Sequence, residues 1–439
     1  MTLISLDPPV APRFGVGLTL KRRRSPSPFG ARRILIVVEN LPVPLDRRVW
    51  MEARALHAAG YEVNVICPTG HGWDAPREVI DGIHIYRHPA PPEAHSGAAA
   101  YTREYTHAIG WWFKLSRIVQ QERGFDVIHG CNPPDLLWLL AWYWQRHGVS
   151  FLFDHHDVCP ELYEAKFGRR DAFRRLMTGW ERLNFLAADV SLATNESFRD
   201  LAIARGGMRP EDVFTVRSAP KVDRFVPGPG DRARWRKAGT MLGWVGVIGQ
   251  QEGLDLLIDA VGGLVRQGRD VHALVVGFGP HADAIQAQAA AQGLANRFTF
   301  PGALYGDDLT AALNACDIGV APDPKNPMND ISTMNKVVEY MALAKPLVQF
   351  DLTEGRASAG DAARYARPNC PDSFAENVAW LMDHPEAAAR MGARGRARVQ
   401  TELSWEYSVP SLIAAYDRVW EKRRQLARAQ AGIQAVAAE

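Results

Sequence analysis

The sequence predicts an α/β protein built from two doubly wound domains. Three observations carry that prediction. Apolar runs of strand length alternate with segments of helical spacing along most of the 439 residues, and such alternation implies parallel sheets with helices on both faces. The alternation occurs twice. The two series are separated near residues 220–240 by PGPGDRARWRKAG, which has the proline, glycine and charge of a linker. A chain of this length holds two or three ordinary domains, and 47% hydrophobic residues supply a sizeable core for each.

The first series opens with ILIVVE (34–39), a continuous apolar run that reads as a strand buried on both faces. RRVWMEARALHAAG follows at helical spacing and stops on Gly60. YEVNVICP and GIHIYRHP are the next strands, and TREYTHAIGWWFKLSRIVQQERG is a helix. DVIHGC, the helix PDLLWLLAWYWQRHG and the strand SFLFDHHD come next. FRRLMTGWERLNFLAAD leads to VSLATN, SFRDLAIARGG and VFTVRSAP, which close this half. The second series runs through the strand TMLGWVGVIG, the helix LDLLIDAVGGLVRQG and the strand VHALVVGFG. HADAIQAQAAAQG, RFTFPG, DDLTAALNACD and IGVAPDP continue it, and the helix STMNKVVEYMALA and strand PLVQFD complete it. SWEYSVPSLIAAYDRVWEKRRQL reads as an amphipathic helix beyond the second domain. The expected divisions are a disordered basic tail (1–31), an N-terminal domain (32–220), a C-terminal domain (221–405), a helix (406–425) packing back toward the N-terminal domain, and a tail (426–439).

Composition narrows the function. A formal net charge of +2 argues against a dedicated nucleic-acid binder. The five cysteines lack ligand or CxxC spacing, so neither a zinc site nor a disulfide frame is read, and a reducing compartment fits. No apolar run has the length needed to cross a bilayer. In the first residues the basic cluster KRRR follows a weak apolar stretch, the reverse of a signal peptide.

In open α/β sheets ligands bind outside the carboxyl ends of the strands, so the strand-to-helix loops carry the interest. The loop NLPVPLDRRV lacks the G-x-G-x-x-G spacing of a dinucleotide fingerprint, which disfavours a dehydrogenase. Gly246 and Gly249, in GWVGVIGQQEG, either let a backbone approach a ligand closely or make a turn. His155 and His156 end a strand, and adjacent strand residues point to opposite faces, so the two do not easily serve one metal ion. His156 either caps the strand through hydrogen bonds or meets a ligand hydroxyl in the cleft; its position favours the cleft.

The stretch NPMNDISTMNKVVEYMALAKPLVQFD (326–351) is the most informative. Asp330 or Ser332 is a natural N-cap for a helix running from about Thr333 to Ala344. A helix N-terminus attracts anions. Lys336 in the first turn is unfavourable for the helix alone and hints at a bound anion. Glu339, three residues on, suits a diol such as ribose, or is simply the i,i+3 partner of Lys336 on a solvated face.

These residues carry a resemblance. DRRVWMEARALHAAGYEVNVICP, HHDVCPELYEAKF, GVIGQQEGLDLLIDA and the 326–351 stretch extended through FDLTEGRASAGDAARYA are similar to blocks of the family 4 retaining glycosyltransferases. The likeness covers about residues 32 to 425 and implies the GT-B fold, two Rossmann-like domains facing a central cleft. It implies a hexosyltransferase-like enzyme (EC 2.4) that moves a sugar from a nucleoside-diphosphate sugar, with retention, to a glycan or polyprenyl-linked acceptor, as in exopolysaccharide assembly. Glu339 matches the second acid of the family's glutamate pair, the one that holds the donor ribose. The first acid falls at Ile331, with Asp330 beside it as the substitute in the catalytic role, or the main chain of Asn329 to Thr333 holds the sugar. His156 matches the histidine beside the donor sugar. The family's basic pair falls at Val247 and Glu252, neither of which is basic. Lys336, Arg356 and the helix N-terminus are the expected replacements, with Lys325 a weaker one. Asn329, Ser332, Thr333 and Gly249 complete the expected donor site.

The resemblance also implies metal-independent catalysis and no cofactor. Arg47 and Arg48 either meet an anionic acceptor or face solvent. No nucleic-acid partner is expected. Localisation is expected to be cytoplasmic, at the inner face of the membrane where the acceptor is lipid-linked, with peripheral contact through KRRR. Trp111 and Trp112 read as core. A nucleotide-sugar epimerase on the same plan and a non-catalytic relative are the alternatives.

Overall fold

The computed structural model describes residues 32–90, 98–220, 222–237 and 239–437. The basic segment 1–31 lies outside them. The chain forms two compact units. One comprises residues up to Glu164, Arg169–Val216 and Val409 onward; the other comprises chiefly Arg217–Ser408.

The N-terminal unit is built on an eight-stranded sheet. Its strands are β1 (Arg33–Val37), β2 (Glu62–Pro68), β3 (Arg77–Ile80), β4 (Ile83–His88), β5 (Val127–Cys131), β6 (Ser150–His155), β7 (Val190–Ala193) and β8 (Val213–Thr215). They lie in the order β3-β4-β2-β1-β5-β6-β7-β8. Every pairing is parallel except the edge hairpin β3–β4. The central strands are apolar without alternation, as strands covered on both faces must be: Ile34 to Val37 are all buried.

The C-terminal unit holds a six-stranded, wholly parallel sheet of β9 (Thr240–Val247), β10 (Val271–Phe278), β11 (Phe298–Gly302), β12 (Ile318–Ala321), β13 (Leu347–Phe350) and β14 (Ala363–Ala366). The order is β11-β10-β9-β12-β13-β14. The chain winds one way from β9 through β10 and β11, then the other way through β12 to β14. The gap between the carboxyl ends of β9 and β12 is therefore the topological switch point of this sheet, where ligands bind in doubly wound folds. In the N-terminal sheet the corresponding point lies between β1 and β5.

Two strands escape the sequence reading. β3 is an exposed, charged edge strand, and β14 is four residues within an alanine-rich stretch. The last helix, Trp405–Ala437, runs well beyond residue 425; its alanine-rich end has high helix propensity. Its residues from Val409 belong to the N-terminal unit. There Tyr416 is fully buried, with its hydroxyl 2.9 Å from His129 Nδ1. In the helix Ala98–Glu122, Trp112 is core, its indole N–H donating to Glu39 at 2.8 Å, while Trp111 is only half-buried.

Candidate functional site

At the switch point of the C-terminal sheet, two loops are tied into one assembly. The loop after β9 turns through Gly249 to Gly253, and the loop after β12 runs from Pro322 to Met334. Asn329, buried in a short 3-10 turn, donates its side-chain amide to Gln251 O at 3.0 Å and Pro324 O at 2.9 Å. Gly253 makes the close approach feasible. Its φ is +69°, and a Cβ there would stand 2.0 Å from the Pro322 carbonyl oxygen. Gly253, rather than Gly246 or Gly249, is the glycine with left-handed backbone in this loop.

Lys336 lies at the centre. Its Nζ is 2.7 Å from Asp323 Oδ1, 2.8 Å from Glu252 Oε2 and 5.0 Å from the ring centre of Trp244. The residue is only 5% exposed. Burial works against the ammonium, but the two carboxylates hold its pKa above the ordinary value. Burial raises the Asp323 carboxyl to about 6 in spite of Lys336. Glu252 is partly buried, which opposes its ionisation, yet Lys336 draws it below its usual range. This corrects the sequence reading: the cation in the first turn is neutralised by two acids of its own chain, so it is not a spare charge for a diphosphate.

The helix itself begins at Asn335, two residues later than expected, and ends at Ala342; no side chain caps its N-cap Met334. Neither expected cap serves it. Ser332 Oγ donates to Met328 O at 2.7 Å. Asp330 Oδ1 accepts from the Thr353 amide at 2.8 Å and pairs with Lys325 at 3.0 Å, fastening this loop to the helix Thr353–Ala359. Ile331 and Thr333 are half-buried beside them. Glu339, one turn into the helix Asn335–Ala342, is 1% exposed, so the solvated-face alternative does not hold. Arg356 is directed elsewhere: it chelates Asp351, with Nη2–Oδ2 at 2.8 Å, and stacks over Tyr365 at 4.2 Å.

In the N-terminal unit, the polar residues gather at the carboxyl ends of β5 and β6. Asp154 is wholly buried and accepts two hydrogen bonds from Arg48, at 2.8 Å and 3.2 Å. Arg48 also donates to Val216 O at 2.6 Å and lies 3.1 Å from Glu52, one helical turn away. This is a second correction. Arg48 is a buried anchor held by Asp154 and Glu52 rather than a solvent-facing arginine; Arg47 is half-buried. Burial opposes ionisation of Asp154, but Arg48 and His156 hold it well below the usual carboxylate range. Burial pushes Glu52 up and His129 down.

His156 Nε2 contacts Asp154 Oδ2, and its backbone amide donates to Asn132 Oδ1 at 2.7 Å. Its side chain is 14% exposed. His155 points the other way and meets Glu181 at 3.2 Å, as strand alternation requires. Two trios here bring ligand atoms within 4.8 Å: His129, Cys131 and Asp154, and Glu52, Asp154 and His156. Both depend on Asp154, whose two oxygens are already held by a guanidinium; a metal ion would have to share them with that cation.

Each unit matches a family model. Residues 45–219 match the "Glycosyl transferase 4-like domain" and residues 239–384 match "Glycosyl transferases group 1". The chain carries both of these domain types, and each of its two units has the Rossmann-like sheet of the GT-B fold. Among its relatives is 2-deoxystreptamine glucosyltransferase of Streptomyces kanamyceticus, 27% identical over 250 residues. That match spans 54% of this chain and 62% of the relative's own length, short of two thirds. Among solved structures, sucrose-phosphate synthase from Thermosynechococcus elongatus superposes with a TM-score of 0.74 at 18% identity, covering 89% of this chain and all of that one (100%). HepE of Anabaena in complex with UDP-glucose gives a TM-score of 0.62 at 16% identity, with 88% and 99% covered. These two likenesses concern the fold.

The sequence did not single out Asp323, Glu252, Trp244 or Asp154 as partners of the charged groups. The one local signal was Glu52, four residues after Arg48 on a helix. The others lie 13, 84 and 106 positions from their partners, counting Asp323 and Glu252 from Lys336 and Asp154 from Arg48.

Proposed function

We propose that this glycosyltransferase moves a hexosyl group from a nucleoside-diphosphate sugar to a hydroxyl of a glycan or polyprenyl-linked acceptor, with retention of configuration. The observation that carries the reading is the assembly at the β9/β12 switch point. There a buried carboxylate, Glu339, lies one turn into a helix whose N-cap side chain makes no capping bond. Glu339 accepts from the ribose diol. The helix N-terminus receives the diphosphate. Gly249, at the bend of the neighbouring loop, packs closely on the Gln251 side chain, which a Cβ there would meet at 2.7 Å.

In the reaction the bond between the anomeric carbon and the leaving phosphate oxygen breaks. The acceptor oxygen forms its new bond on the same face, and its proton passes to the departing phosphate. The protein's part is positioning and charge stabilisation. His156, with Nε2 turned to Asp154, offers Nδ1 to the donor sugar. Arg47 and the loop after β1 border the acceptor. The half-buried Trp111, with Lys114 at 4.1 Å over its ring, supplies peripheral membrane contact for a lipid-linked acceptor at the inner face. Among the described residues, no helix is long and apolar enough to cross a membrane.

The test is a thermal-shift series with UDP, GDP and ADP, first without metal and then with magnesium. One nucleoside diphosphate should raise the melting temperature in both series. UDP is tried first, since a neighbour binds UDP-glucose. Transfer to methyl glycosides, with the anomer read by NMR, then checks retention. No shift with any nucleotide would reject the donor assignment. Donor conversion to an epimer without acceptor would reject the transferase reading.

A further inference from the structure

A hollow of about 530 Å³ opens at the free edge of β14, between the helices Pro371–Asp383 and Pro385–Arg398. It shares no residue with the assembly around Lys336. Four arginines line it, Arg356, Arg364, Arg390 and Arg394, against one carboxylate, Asp361. Arg390 and Arg394 stand one turn apart on the same face of their helix, an arrangement of like charges that weakens an isolated helix.

The four are not equivalent. Arg356 is matched by Asp351, and Arg390 lies 3.7 Å from the exposed Glu386. Arg364 is fixed by a neutral partner, Asn377 Oδ1 at 2.9 Å, and lies over Trp380 at 4.2 Å. Trp380 also stacks with His384 at 4.4 Å, so the aromatic ring serves as a support for the guanidinium rather than a platform for a sugar. Arg394 has no ion pair among the described residues.

Two guanidiniums without a carboxylate partner thus face one hollow, one of them already immobilised. Guanidinium forks match the oxygens of a phosphate, and an arginine held in advance loses less entropy on binding. We propose that this hollow binds a phosphate dianion, free or carried as a monoester, its two charges matched by Arg364 and Arg394. The volume admits either a sugar phosphate or free phosphate. This site is separate from the donor site and does not depend on it.

The test is titration calorimetry of the full chain at low salt with glucose 6-phosphate and, separately, inorganic phosphate. Wild type should bind at least one of them, and Arg394→Glu, on an exposed helix face where folding is not at stake, should weaken it at least tenfold. Arg364→Gln should weaken it similarly. Glu339→Ala should bind as wild type does. Tighter binding of glucose 6-phosphate than of phosphate identifies a sugar phosphate as the ligand, and equal binding identifies free phosphate. No binding of either probe at millimolar concentration, or unchanged affinity in Arg394→Glu, would overturn the proposal.

Discussion

Lys336 and Glu252, 84 positions apart in sequence, meet at 2.8 Å in the C-terminal unit. The contact joins the helix after β12 to the loop after β9. It also decides what Lys336 does. With Asp323 at 2.7 Å as well, the ammonium is enclosed by acids.

Replacing it by Met therefore acts first on stability. The buried Asp323 and the partly buried Glu252 lose their shared cation, which costs about 3–5 kcal/mol for a broken buried pair. Denaturant unfolding of Lys336→Met should show that loss. Donor affinity, measured where the variant is folded, should change by less than about threefold, or under 1 kcal/mol. Normal stability with lost nucleotide binding would return Lys336 to the phosphate.

The same reasoning applies to Arg48 and Asp154. Arg48→Met leaves a buried carboxylate beside His156 and should destabilise by about 3–5 kcal/mol. Arg48→Lys keeps the charge but not the two-pronged contact, so it should recover only part of the loss. Urea midpoints for the two variants check this; equal midpoints for wild type and Arg48→Met would remove Arg48 from the core network.

His156→Gln should lower turnover by about 10² or more, the usual size of a positioned histidine's contribution, and leave donor Kd nearly unchanged. Asp154 holds the ring through Nε2, a contact that the amide of Gln can replace, so the substitution chiefly removes the proposed Nδ1 contact to substrate. Steady-state kinetics with a separate binding measurement distinguish the two effects. An unchanged rate would take His156 off the catalytic residues.

Gly253 offers a purely conformational test. Its φ of +69° is strained for any other residue, and a Cβ would press on the Pro322 carbonyl at 2.0 Å. Backbone cannot yield as a side-chain tip can. Gly253→Ala should cost about 1–3 kcal/mol and loosen donor binding together with stability, because the two loops it joins frame the proposed donor site. Full stability in this variant would mean the loops separate at no cost.

Much of this was legible in the sequence, and what was not has a physical pattern. Apolar runs such as ILIVV and the alternation of periods specify the sheets, because burial on both faces demands them. The opposite orientation of His155 and His156 follows from strand geometry alone. Lys336 stood out as an unfavourable charge in a first helical turn. The sequence marked the oddity without saying what balances it, since Glu252 and Asp323 arrive through the winding of β9 and β12. Arg48 looked like surface for the same reason: its partner Asp154 lies two strands away in the sheet. Local propensity marks residues, and register across the sheet assigns their partners. The strand β14 was lost because four residues of alanine-rich sequence carry no period long enough to read.

The pH dependence of stability follows from Asp323. Burial holds its carboxyl at about 6, against 3.8 for the unfolded chain. Between these values the folded state binds more proton than the unfolded one, so this group makes stability fall as pH rises from 4 to 6 and contributes no further slope above. Full expression of that shift corresponds to about 3 kcal/mol as an upper figure. Other acids oppose it: Asp154, held low by Arg48 and His156 against its burial, contributes stability that is lost as pH falls. The difference between wild type and Asp323→Asn isolates the Asp323 part. Unfolding free energies at pH 4, 5, 6 and 7 should show the difference between wild type and variant narrowing or reversing on the acid side, wild type gaining relative to Asp323→Asn as pH falls through 6. A pH-independent difference would mean that Lys336 keeps Asp323 ionised throughout, and that the cluster is a fixed ion triad at every pH in this range.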